Sequence, residues 1–238
     1  MNPNLEFGQA VRGKNSGRAT GLIDTVPFIH AVQGVMLLEA AGGLDGAVSG
    51  GVRDWFRQFS TWMTTSKKGV EEKEAGNNHA TWWTAQVAAY ATFTGDVAMR
   101  AMAWEHYRQF LVPKQIGKDG SCAAEEARTD SLNYSSMNLD AFAIICRLAQ
   151  VAGLDLWHYR AANGASVGTA FHYLMPYVLD PAGWKKQQMN KFSSPGCVFP
   201  GLAGVGLPAP DLLAVYKKLP RAQSAWIQTI DLIVETSL

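Results

Sequence analysis

The chain has 238 residues, of which 47% are apolar and 17% charged, with 21 Lys and Arg set against 20 Asp and Glu. This is long enough for one sizeable hydrophobic core, too apolar for a disordered segment, and too evenly charged for the broad basic field that nucleic-acid binding leaves. Three cysteines (Cys122, Cys146 and Cys197) make neither a disulfide framework nor a zinc spacing. A single bridge stays open, while Cys146, inside an apolar run, reads as a small buried hydrophobe.

Residues 1–19 are polar and rich in Asn and Gly, without the basic start and apolar stretch of a signal peptide. No run reaches eighteen continuous apolar residues, so no membrane span is expected. Helical spacing then dominates. Asp24 and Thr25 can cap a helix from about Pro27, carrying His30, Val32, Val35, Leu37 and Leu38 towards Gly42 and Gly43. A second helix is expected over residues 50–65, with Val52, Trp55, Phe56, Phe59 and Trp62 at three- and four-residue steps. Lys67, Lys68, Glu71, Glu72, Lys73 and Glu74 read as a solvated mixed-charge loop.

A third helix opens at residues 76–78 and carries His79, Trp83, Gln86 and Tyr90; Gly95 and Asp96 end it and cap a fourth, which stops near Pro113. Residues 117–134 mix Gly, Ser, Asp, Glu and Arg without a period and are expected to be loop or irregular strand. Asn138 or Asp140 is the expected start of the next helix, stopped by Gly153. Further helices are expected near 167–177, 181–191, 212–219 and 222–234, with 194–210 as a long Pro/Gly-rich connection. With no βαβ rhythm, no phosphate loop and no sharp boundary, the fold class is all-α, as a single helical domain over residues 1–238.

Two polar clusters can carry chemistry. Asn77, Asn78 and His79 sit at the start of an aromatic helix, where Asn is an ordinary cap but the exposed N–H groups and helix dipole also favour a carboxylate. Glu125, Glu126, Arg128, Asp130, Asn133 and Tyr134 form the other. Arg128 either braces a loop, clamps a carboxylate with its planar fork of donors, or brings positive charge to Tyr134 and so favours the phenolate. The acceptor triplet Asn133-Tyr134-Ser135 reads as a chance glycosylation match. The 8 Trp, 7 Tyr and 10 Phe either build a large core or line a groove for sugars.

The run Gly76-Asn77-Asn78-His79-Ala80-Thr81-Trp82 with Gln86-Val87-Ala88-Ala89 resembles the NNHxxW-type segment of the alginate lyase superfamily. Glu125 through Arg128-Thr129, Tyr134 and Asn138-Leu139 resemble its second signature, with weaker matches at Leu154-Asp155-Leu156-Trp157 and Pro176-Tyr177. The resemblance starts near Asn2-Pro3-Asn4-Leu5 and covers most of the chain. It implies an incomplete α/α toroid, lacking helices that family members carry before the segment corresponding to Asn2. It also implies a groove for an anionic polysaccharide, a secreted or periplasmic setting, and neither metal nor organic cofactor.

Carried over, the catalytic positions are Asn78, His79, Arg128 and Tyr134, and the substrate-binding ones Asn77, Trp82, Trp83, Gln86, Glu125 and Asn138. The implied reaction is β-elimination in a 1,4-linked uronate polymer. Asn78 and Arg128 hold the carboxylate, His79 or Tyr134 takes the C5 proton, and Tyr134 protonates the leaving oxygen. Two rivals remain: a non-catalytic carbohydrate-binding protein on the same scaffold, and a glycoside hydrolase. The latter needs two carboxylates flanking the bond, whereas the adjacent Glu125 and Glu126 are expected to diverge.

Overall fold

A computed structural model describes residues 2–192 and 194–237. Among them there is no strand longer than an isolated bridge, and the all-α class is as expected. The helices are α1 Phe28–Ala40, α2 Gly46–Thr65, α3 Lys67–Lys73, α4 Asn78–Thr94, α5 Val97–His106, α6 Val112–Gln115, α7 Ala123–Glu126, α8 Ser131–Val151, α9 Val167–Leu179, α10 Phe199–Gly206, α11 Pro210–Lys218 and α12 Ala225–Thr236. A single π-helical turn, Tyr107–Leu111, joins α5 to α6. The chain forms two compact units: one from residues up to Ala75 with Trp82–Glu105, the other from Gly76–Thr81 with the residues from His106 onward.

The first unit is an aromatic core. Trp55, Phe56, Phe59 and Trp62 of α2 repeat on one face; Phe28 meets the Trp55 and Phe56 rings edge-on, and the Trp55 and Phe59 rings stack with centroids 5.1 Å apart. Asp45 caps α2 by accepting from the N–H groups of Ala47 and Val48 at 2.9 and 3.2 Å. The expected loop at 67–74 is instead α3, because Ser66 Oγ accepts the Gly69 N–H at 3.0 Å and Glu72 turns inward to 2% exposure. The charged residues also make tertiary contacts, Lys68 Nζ lying 3.1 Å from Glu6 Oε2 and Lys73 over the Trp83 ring.

The stretch Ala19–Ala40 is long and apolar enough by length and composition to cross a membrane, which a count of continuous apolar residues misses. Hydrogen bonds tie its first residues into the unit, while Met36, Leu37 and Leu38 near its end are exposed. Tyr90 donates to Thr25 O at 3.1 Å, and Thr25 Oγ1 donates to Gln86 Oε1 at 2.6 Å. A polar network of this kind suits a protein interior.

In the second unit α8 is the central element, packed by α7, α9 and α10. Its Leu139, Phe142, Ile145 and Cys146 are buried. Helix α8 begins at Ser131, seven residues before the earlier of the two expected starts, so the acceptor triplet at 133–135 is helical and Tyr134 lies in the first turn. Residues 181–191 are not the expected helix; a short turn Pro181–Gly183 leads into an extended segment that bridges to Asp130 through Gln188. The expected connection over 194–210 contains α10, whose Gly206 lets its backbone lie directly on the Trp157 indole, with no room for a Cβ. The glycines that looked like loop signals permit close packing instead. All three cysteines are free and buried, so no bridge forms.

Candidate active site

Both polar clusters fall in the second unit, since Gly76–Thr81 belongs to it. Asn78 opens α4 and is fully buried. Its backbone N–H donates to Glu125 Oε1, and its carboxamide nitrogen donates to Oε1 at 3.0 Å and Oε2 at 2.9 Å. Glu125 lies on α7, a turn closed by Cys122 O accepting from both the Glu125 and Glu126 N–H groups at 2.9 Å. Burial pushes the Glu125 carboxyl up from its ordinary value, while the Asn78 hydrogen bonds and the charges of Arg128 and His79 pull the other way.

Arg128 follows α7, its N–H donating to Glu125 O at 3.0 Å. Its guanidinium lies over the face of the Tyr134 ring, 3.6 Å from the centroid. The positive charge therefore meets the π face, a cation–π arrangement. Asn77 is half-buried; its Oδ1 accepts the His79 N–H at 3.2 Å, which fixes the turn presenting the half-buried imidazole.

Two supports were not foreseen from sequence. Gln115, 4% exposed, is a hub: Oε1 accepts from Thr81 Oγ1 at 2.9 Å and Asn138 Nδ2 at 3.1 Å, and Nε2 donates to Asn77 O at 3.0 Å. Residues 187–190 clamp the start of α8, with Ser131 N–H donating to Gln187 O at 3.1 Å and Met189 N–H to Thr129 O at 3.0 Å. Leu132 N–H donates to Gln188 Oε1 at 2.8 Å, and Asp130 accepts from Gln188 Nε2 and Asn190 N–H at 2.9 Å each. Nothing local marks either support, since both join residues far apart in the chain.

The structure gives several of the expected substrate-binding residues a different setting. Glu125 and Asn138 are 1% and 0% exposed and hold Asn78 and Gln115, so they position neighbours and offer no open surface. Trp82, Trp83 and Gln86 belong to the core of the first unit; Trp83 Nε1 donates to Met63 O at 3.2 Å, and Gln86 is taken up by Thr25 and Tyr90. Their apolar helix buries them on every side, which the aromatic spacing alone left open. Among the described residues no group of three or more His, Cys, Asp and Glu side chains is arranged to hold a metal.

The structure thus joins the Asn–His helix start to the Glu–Arg–Tyr cluster, as the sequence resemblance to the alginate lyase superfamily implies. The family model for alginate lyase matches residues 1–184, and the chain belongs to that family. An alginate lyase from Bacteroides ovatus is 29% identical and superposes with a TM-score of 0.86 over 94% of this chain and 60% of its own. Alginate lyase A1-III from Sphingomonas species A1 is 20% identical, with a TM-score of 0.63 over 81% of this chain and 54% of its own. A histidine-to-alanine variant of A1-III in complex with a tetrasaccharide is similar at 20% identity and a TM-score of 0.62, covering 77% of this chain and 54% of its own. The chain thus spans about half to three fifths of the length of these enzymes. No curated protein sequence matches it.

Proposed function

We propose that the protein is a polysaccharide lyase that cleaves 1,4-linked uronate polymers by β-elimination outside the cytoplasm. The observation that carries this reading is the convergence on Glu125: its carboxylate holds Asn78 beside His79, and the next turn of chain delivers Arg128 onto Tyr134. The C5 proton of a uronate is made acidic by the adjacent carboxylate, and its removal piles negative charge onto that group. Arg128 pairs with the carboxylate and stabilises the developing enolate-like anion. Asn78, its carboxamide engaged by Glu125, sets the turn from which His79 acts as base. Tyr134 delivers a proton to the glycosidic oxygen at C4, and the bond from C4 to that oxygen breaks as the C4–C5 double bond forms. Tetrasaccharide binding by the Sphingomonas enzyme variant supports a polymeric ligand for this scaffold.

The test follows the ultraviolet absorbance of the new double bond with alginate blocks, glucuronan and hyaluronan as substrates. His79→Ala and Tyr134→Phe are expected to lower the rate at least 100-fold with unchanged helical circular dichroism. Rates unchanged from the parent protein in both variants overturn the assignment, and polymer binding without unsaturated product favours the non-catalytic reading.

A further inference from the structure

Outside the candidate active site, the second unit holds a cavity of about 640 Å³ between residues 157–166 and the first half of α9. Such a volume is typical of small-ligand sites, roughly 300–1,000 Å³. Its lining mixes Trp157 and Leu207 with polar groups: Arg160, His158 and His172, with Tyr173, Ser166 and Thr169 beside them, His158 Nδ1 lying 2.8 Å from Asp155 Oδ2. Asp119 also lines the wall, its Oδ1 accepting from Ser121 N–H at 3.0 Å and Ser121 Oγ at 2.7 Å.

The Arg160 side is preorganised. Arg160 pairs with Ser166 in an isolated antiparallel bridge, and its Nη1 donates to Gly164 O at 2.8 Å. The turn between them is closed by Ala161 N–H to Ala165 O at 2.9 Å and anchored by Asn163 Nδ2 to Pro113 O at 3.0 Å. Arg160 is exposed, so Nε and Nη2 remain for a ligand, a fork suited to a carboxylate. His172 has Nδ1 2.7 Å from Gly168 O and Nε2 3.1 Å from an Asp211 oxygen. Both ring nitrogens thus have oxygen neighbours, which hold the imidazole in place. Half-buried Tyr173 lines the same wall, and the paired hydroxyls of Ser166 and Thr169, 2.9 Å apart, can bond sugar hydroxyls.

One aromatic contact links this cavity to the candidate active site. The Tyr173 ring meets Trp184 edge-on at 6.5 Å, and Trp184 Nε1 donates to Ser131 Oγ at 2.7 Å, one turn before Tyr134 on α8. We propose that this cavity is a second subsite for a carboxylated sugar residue, with Arg160 binding the carboxylate and Tyr173 stacking on the ring. The inference rests on the uronate-polymer reading above and extends it to a site away from the bond being cut.

The test uses full-length Tyr134→Phe protein and amide NMR, titrated with a mannuronate trisaccharide, its carboxyl-reduced neutral counterpart, or inorganic phosphate. The trisaccharide is expected to shift the Gly164 and Gly168 amides, and Arg160→Gln to weaken that response at least tenfold. Shifts at Asn78 and His79 with none at Gly164 and Gly168 overturn the subsite while leaving the active site standing. Shifts at Gly164 and Gly168 alone do the reverse. Equal binding of the neutral sugar, response to phosphate only, or unchanged affinity in Arg160→Gln also overturns the proposal.

Discussion

Replacing Glu125 by Ala strips the acceptor from the backbone N–H and the carboxamide of Asn78 in one step. Asn78 has no solvent exposure, so its donors lie away from bulk water. Leaving a buried donor unsatisfied costs about 1–3 kcal/mol, and two donor groups together about 2–6 kcal/mol, a large share of a typical stability of about 5–15 kcal/mol. The loss is offset in part because a carboxyl whose ionised form burial disfavours is removed with it. Glu125→Gln, which retains one acceptor oxygen, is expected to lose less than half as much. Urea unfolding followed by circular dichroism reads the stability, and initial rates of absorbance rise read the placement of His79. A shift of about an ångström at a reacting group can cost about 100-fold in rate, and a drop of that order in kcat/KM is expected for Glu125→Ala. A stability change within about 0.5 kcal/mol, the range of an ordinary surface substitution, refutes the bracing role.

Arg128→Lys keeps the charge but gives up the planar stack on Tyr134 and the two-pronged grip on a carboxylate, so kcat/KM is expected to fall at least tenfold with little change in melting temperature. Gly206→Ala forces a methyl group onto the Trp157 indole and is expected to destabilise by about 1–3 kcal/mol, read by thermal melting. Asp140 accepts from the Val198 and Phe199 N–H groups at 2.9 and 2.8 Å, and burial pushes its carboxyl up to about 7. The folded form then holds its proton where the unfolded form has lost it, so this group's contribution falls as pH rises from about 4 to about 7. Asp140→Asn is expected to flatten stability over that window; an unchanged slope counts against it.

Much of the helical pattern was legible because apolar residues recur at helical spacing, as in α2 and α4, and because caps such as Asp96 announce boundaries. Met99 N–H donates to Asp96 Oδ1 at 2.8 Å, as the Gly95-Asp96 pair suggested. The misreadings have local causes. Ser66 was a cap hidden in front of a charged run, and Gly201, Gly204 and Gly206 imitate a loop while serving close contacts to Tyr216, Leu213 and Trp157. Ser131 starts α8 early because residues 187–190 satisfy the polar groups at its head. The site was readable as two clusters and a family order, but not as a set of supports. That Glu125 would hold Asn78, and Gln115 would join Asn77, Thr81 and Asn138, depends on contacts spanning 47 residues and 38, 34 and 23 residues, which no window of sequence displays.

Cys122, Cys146 and Cys197 all lie in the second unit, all buried, and burial pushes each thiol upward, Cys122 to about 12. Because the thiolate is the reacting form, a thiol reagent meets them only after this unit opens. The chain thus carries three internal reporters spaced from the edge of the candidate site, at Cys122, through the middle of α8, at Cys146, to the approach to α10, at Cys197. The order in which they become modified under mild denaturation resolves how that unit comes apart, and a bound polymer that steadies the Asn78–Glu125 link slows Cys122 first.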